Sequence, residues 1–247
     1  MNKIKDYYIP INDDLLFCHV DGKGKPLLLL HGNEEDHTIF NNQLTYFKKF
    51  YKVIALDSRG HGQSDHGKIG LTFENMAKDI IHVLDYFQLE KVAIIGFSDG
   101  GNLGLYLASH FPERVDNLVI VGANYKADGL KTKNFLQVKA LFYYLKLVGF
   151  ISKSKRQRKE VIDLMWHQIK LDDADLKRIT ARTLIVVGEN DVIKKNHTKK
   201  IHELVSKSRM VTLPKTTHFL MIEKPDLFNS IVIDFLLEKD TKETLKK

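Results

Sequence analysis

A single cysteine, Cys18, excludes an intrachain disulfide and a cysteine-built metal site. Only five prolines occur, and they are scattered, so no Pro/Gly/Ser-rich linker divides the chain. No apolar run approaches the roughly 20 residues of a membrane-spanning helix, and the opening MNKIKDYYIPINDD lacks the apolar stretch of a signal peptide. The expectation is a cytoplasmic protein without stable membrane insertion. Helix-turn-helix, RNA-binding and zinc-finger patterns are also missing, so the formal charge of +7 is not read as nucleic-acid binding. That charge is unevenly placed: residues 126–170 hold 11 Lys/Arg against 3 Asp/Glu. The excess reads first as a solvated basic face, and second as a means of attracting anionic substrates or membrane surfaces.

What is present is an alternation. At 247 residues the chain can bury a sizeable core as one large domain, or as one domain with an insertion. LLFCHV (15–20) and KPLLLLHG (25–32) flank the turn-like DGKG and predict an antiparallel start. Thereafter helical patterns separate the apolar strands YKVIALD, KVAIIGF, VDNLVIVGAN, ARTLIVVGEND and SRMVTLP. Continuous apolar strands alternating with amphipathic helices predict a mostly parallel sheet, of about eight strands, covered by helices on both faces. The alternation breaks at residues 125–180, which read as an inserted helical cap between core segments 1–124 and 181–247. The terminal KDTKETLKK is expected to fray.

One short stretch carries chemistry. Gly96-Phe97-Ser98-Asp99-Gly100 ends a buried strand and opens a helix, the setting of a nucleophile elbow. A sharp turn there holds the Ser98 hydroxyl out at the carboxyl edge of the sheet, and small residues let neighbouring backbone pass close by. A serine hydroxyl needs a base to take its proton and an acid to orient that base. His82, His110 and His202 fall within helical patterns, whereas His218 follows a late strand on a loop. Asp191, at the end of TLIVVGEND, is the candidate acid, with Glu189 its neighbour and competitor; Asn124, after the preceding strand, cannot carry the charge. Two backbone N–H groups should stabilise the oxyanion, those of Asp99 and of Asn33 in the loop after LLLL.

With HGN, DSRGHGQSD (57–65), GFSDGG, GENDVI and THFLMIEKP in place, the chain resembles the α/β-hydrolase superfamily from Leu15 to about Leu237. The order Ser98, Asp191, His218 is the one that family uses. The resemblance implies an α/β-hydrolase fold, structural roles for Arg59 and His61, and no cofactor or metal. Thr216 and Thr217 stand where relatives often have glycine before the histidine. Haloalkane dehalogenases and epoxide hydrolases of this family attack with aspartate, so Ser98 argues against both. Cleavage of esters, thioesters, amides or carbon–carbon bonds remains open, as do perhydrolase and lyase chemistries and a non-catalytic ligand receptor. The reading adopted is a serine esterase acting on a small-molecule ester, with the oligomeric state left open.

For the pocket, NFLQVKALFYYLKLVGFI (134–151) is apolar over most of a helix circumference, so part of it is expected to roof the cleft. Phe97, Phe142 and Trp166 are the candidate apolar contacts, with Met165 beside them. Asp99 and the acidic run Glu34-Glu35-Asp36 predict an acidic cleft floor, although Asp36 would also suit a helix cap near Thr38. The SDGG elbow resembles that of biphenyl hydrolase-like aminoacyl-ester hydrolases. That likeness implies that an acid beside the serine meets a substrate ammonium.

Overall fold

The computed structural model describes residues 5–238, so the KDTKETLKK tail, expected to fray, lies outside the described residues. In chain order the elements are β1 (Lys5–Ile11), β2 (Asp14–Gly22), β3 (Pro26–Leu30), α1 (Asn41–Phe47), β4 (Lys52–Leu56), α2 (Phe73–Tyr86), β5 (Val92–Phe97), α3 (Asp99–His110) and β6 (Val115–Val121). They continue with α4 (Thr132–Val148), α5 (Lys153–Leu164), α6 (Asp173–Lys177), β7 (Arg182–Gly188), α7 (Lys195–Leu204), β8 (Ser208–Leu213), α8 (Leu220–Glu223) and α9 (Pro225–Leu237). The strands form one sheet in the order β1-β2-β4-β3-β5-β6-β7-β8. From β4 to β8 neighbours run parallel, while β1–β2 and β2–β4 are antiparallel.

The antiparallel start is present, but its pairing differs from the hairpin expected around DGKG. β2 pairs with β1 on one side and β4 on the other, and β3 lies one strand further in. The reason is burial. The Leu27–Leu30 side chains of β3 are all buried, which requires neighbours and helices on every side. The β1 segment, with Pro10 and mostly solvent-facing residues apart from Ile9 and Ile11, fits an edge instead.

Strand alternation divides the core in two. Leu28, Leu30, Ile54 and Ile94 face a layer built with α2 and α3, whereas Leu27, Leu29, Ala55 and Ile95 face α1 and α9. The chain proceeds outward from β3 to β4 and then returns past β3 to β5. The carboxyl ends of β3 and β5 therefore flank the point where strand order reverses, the crevice in which open α/β sheets bind ligands.

The loop after β4 is fixed by ions. Arg59 is fully buried, its Nε and Nη2 each 2.8 Å from the Asp79 carboxylate and its Nη1 2.7 Å from Asp14. Between β6 and β7, α4 and α5 pack on each other around Phe142, Leu145 and Ile162, a small core separate from the main layers. Among the described residues no helix is long and apolar enough to cross a membrane.

Candidate active site

The elbow follows from what its glycines avoid. Ser98 has φ +52° and ψ −118°, a strained conformation for a residue with a side chain. A Cβ on Gly96 would lie 2.3 Å from the Gly100 carbonyl oxygen, and one on Gly100 would lie 2.0 Å from that of Leu30. Backbone-to-backbone contact at these two positions lets the chain reverse sharply between β5 and α3.

The hydroxyl so presented meets His218, with Nε2 3.0 Å from Ser98 Oγ. On the far side of the ring, Nδ1 lies 2.8 Å from Asp191 Oδ1. Burial pushes Asp191 upward, but the His218 hydrogen bond and charge, with the N–H groups of Ile193 and Gly188, hold it below the usual carboxylate range. Glu189, the alternative acid, instead accepts the Lys215 backbone N–H at 2.8 Å, while His218 Nδ1 is taken by Asp191. Two further glycines make room for this arrangement, and sequence reading missed both. A Cβ on Gly122, which has φ +58°, would lie 2.7 Å from the His218 ring, and one on Gly188 would lie 2.1 Å from the Thr217 carbonyl oxygen.

The loop after β3 packs against the elbow: a Cβ on Gly32 would sit 3.1 Å from Ser98 Cβ. His31 anchors this loop, its Nε2 accepting the Ser58 N–H at 2.9 Å and its Nδ1 donating to the Gly32 carbonyl at 2.7 Å. The Asn33 backbone N–H has no acceptor among the described residues. Asp99, first residue of α3, has no carbonyl one turn back to receive its own. Asn33 and Asp99, the residues expected to supply the oxyanion donors, line the same cleft as Ser98.

The acidic floor divides. Glu34 turns outward to pair with Arg158 on α5, and Asp36 caps the turn at Thr38. Glu35 lines the cleft and accepts the Gly32 N–H at 3.1 Å; burial pushes it up to about 7. Asp99 also lines the cleft, its carboxylate accepting from Asn33 Nδ2 at 2.8 Å and Asn102 Nδ2 at 3.0 Å, and burial pushes it up to about 6. Asn102 and the Val161 carbonyl, which takes a second bond from Asn33 Nδ2 at 2.7 Å, were not visible as participants in the sequence.

Beside Ser98 lies a cavity of about 300 Å³ with Phe97, Leu130, Val138, Leu141, Met165 and Ile193 among its walls. Phe142 and Trp166 are not among them. They stack edge-to-face on each other, 5.3 Å between ring centres, and Phe142 lies in the core between α4 and α5. The expectation that both contact substrate is corrected accordingly: Leu141 and Met165, one residue earlier in each case, take the cleft side. Asp36, His37 and Asp57 are the group among the described residues that could chelate an ion. The Asp57 carboxylate there already accepts the N–H groups of His37 and Gln63, at 2.7 and 2.9 Å, bonds that hold the loop after β4.

A serine, a histidine and an aspartate brought together at the switch point of a mostly parallel sheet define a class, the α/β hydrolases. The chain belongs to the alpha/beta hydrolase fold family, whose profile matches residues 25–150. It is 28% identical to AB hydrolase superfamily protein YisY of Bacillus subtilis, over 93% of this chain and 98% of that one. It is 30% identical to the serine hydrolase BPHL of Homo sapiens, over 92% of this chain and 85% of the relative. A hydrolase of Pseudomonas aeruginosa shares its fold, with a TM-score of 0.80 and 22% identity, covering 96% of this chain and 100% of that structure.

Proposed function

We propose that this protein is a serine hydrolase that cleaves small to medium carboxylic esters through an acyl-enzyme. The observation that carries the reading is the continuous relay from Ser98 Oγ through the His218 ring to Asp191, at 3.0 and 2.8 Å. His218 Nε2 takes the Ser98 proton as Oγ attacks the ester carbonyl, and Asp191 keeps the ring in the required tautomer and stabilises the imidazolium. The Asn33 and Asp99 N–H groups receive the developing oxyanion. His218 then protonates the leaving alcohol and activates the water that releases the acid. The apolar cavity of about 300 Å³ suits an acyl or aryl group of modest size.

Within that reading, the Asp99 carboxylate in the cleft wall favours esters bearing a positive group near the scissile carbonyl. Labelling with a fluorophosphonate probe tests the nucleophile: wild type is expected to label and Ser98→Ala not. A panel of p-nitrophenyl, thioester, amide and vinylogous 1,5-diketone substrates then separates ester cleavage from its alternatives. Turnover of the diketone alone would move the reaction to carbon–carbon bonds while leaving the relay intact.

A further inference from the structure

The outward face of α4 has no part in the cleft and is unlike an ordinary solvent face. Its inward side packs on α5 through Phe142 and Leu145 and roofs the cavity with Val138 and Leu141. The opposite side is apolar as well. Leu136, Ala140, Tyr143 and Leu147, spaced i, i+4, i+7, i+11, form one exposed stripe. Leu147 is 71% exposed, and Phe150, just past the helix end, is 80% exposed with Ile151 beside it. A helix apolar over most of its circumference belongs inside something, and a contiguous exposed patch of this kind marks a docking surface.

Charge says what it docks on. Residues 129–159 hold nine Lys/Arg and no Asp/Glu, and Lys133, Lys146, Lys153 and Arg156 are exposed alongside the stripe. We infer that α4 is an interfacial helix that seats the cap on an anionic lipid surface. Cations draw such a helix to lipid headgroups while leucine, tyrosine and phenylalanine enter the acyl boundary. A nucleic acid would use the lysines and leave Leu147, Phe150 and Ile151 unmatched. A second copy would bring one basic patch against another. Because the same helix roofs the cavity, docking brings the cleft to the lipid boundary, where acylated substrates concentrate. The inference stands independently of which bond the site breaks.

The test is co-sedimentation of the full chain with vesicles. It should pellet with phosphatidylcholine vesicles containing about one third phosphatidylglycerol, remain in solution with pure phosphatidylcholine, and be released by high salt. The double variant Leu147→Ser/Phe150→Ser should lose binding to anionic vesicles. Lys133→Gln/Lys146→Gln should weaken it roughly 30-fold, the loss of two cations near a charged surface. Both variants should keep wild-type circular dichroism and wild-type turnover of a soluble ester. Wild type that fails to pellet, or a serine variant that pellets as well as wild type, overturns the inference. So does a dimer in sedimentation velocity that the serine variant dissolves, which would give the stripe to a second copy.

Discussion

Asp99 is at once neighbour to the nucleophile and a carboxylate withdrawn from water, held by the two amides of Asn33 and Asn102. Burial raises it to about 6, so it is anionic above that pH and neutral below. An α-aminoacyl ester should therefore be preferred over its uncharged analogue by roughly 10- to 150-fold in kcat/KM at neutral pH, the worth of a partly desolvated charged contact of ~1.5–3 kcal/mol. The ratio should fall toward unity as the pH drops through about 6, and in Asp99→Asn at every pH. Paired pH profiles of the two substrates check this.

Glu35 gives the same physics a stability readout. Its carboxyl is raised from 4.5 to about 7 by burial, so the folded state holds a proton that the unfolded chain releases. That contribution is present below the unfolded value and is lost as pH rises through about 7. Glu35→Gln, which keeps an oxygen for the Gly32 N–H, should stabilise the fold by about 1–3 kcal/mol at mildly alkaline pH and change little in acid. Urea unfolding at the two pH values measures it. Asp191→Asn should lower kcat by roughly 10⁴-fold through the wrong imidazole tautomer, while Glu189→Gln, whose partner is the Lys215 N–H, should cost far less. The reverse ranking in steady-state kinetics would give the acid's role to Glu189.

At the scale of elements, the strand ends position the chemistry and the glycines define the clearances. Gly122→Ala forces a Cβ to within 2.7 Å of the His218 ring at a left-handed backbone angle. Turnover should drop at least tenfold, with the ring pushed off Ser98 and KM little changed. A kcat at wild-type level would mean that the β6 end yields instead.

The parallel strands were legible because buried β3 and β5, and the Leu118–Val121 stretch of β6, read as continuous apolar runs. The elbow was legible because a strand, a glycine-flanked serine and a helix follow one another within a few residues. The pairing of β1 was not, since an edge strand with Pro10 has little pattern of its own. Nor was the rotation of α4: a helix apolar over most of its circumference has little phase in its sequence. Packing against α5 decides that Leu141 faces the cavity and Phe142 the cap core. The amides that hold Asp99 were hidden for another reason. Asn33 lies 66 residues away, and an asparagine after a strand announces no partner.

At the scale of the whole molecule, α4 and α5 are tied to the sheet domain by polar contacts from α5. These include Asn33 Nδ2 to the Val161 carbonyl, Glu34 to Arg158, and His66 to Glu160 at 3.0 Å. The stem leading into the cap is bound differently. Leu130 forms a β-bridge with Ile193, Lys131 donates its N–H to the Val192 carbonyl at 2.8 Å, and Lys194 donates to the Gly129 carbonyl at 2.8 Å. Tyr125 adds its N–H to His197 Nε2 at 3.2 Å. Residues 125–131 are thereby stitched to the loop that carries Asp191. The roof is in this sense modular and its doorpost is not. A chimaera that exchanges residues 132–164 for a relative's helices should keep the Asp191–His218 geometry and change only which substrates are turned over. One that also exchanges 125–131 should lower turnover of every substrate, because the stem's fit to the loop that carries Asp191 would be disturbed. For divergence in this family the same asymmetry means that new specificities can arise by replacing α4 and α5 while the short stem ahead of them stays put.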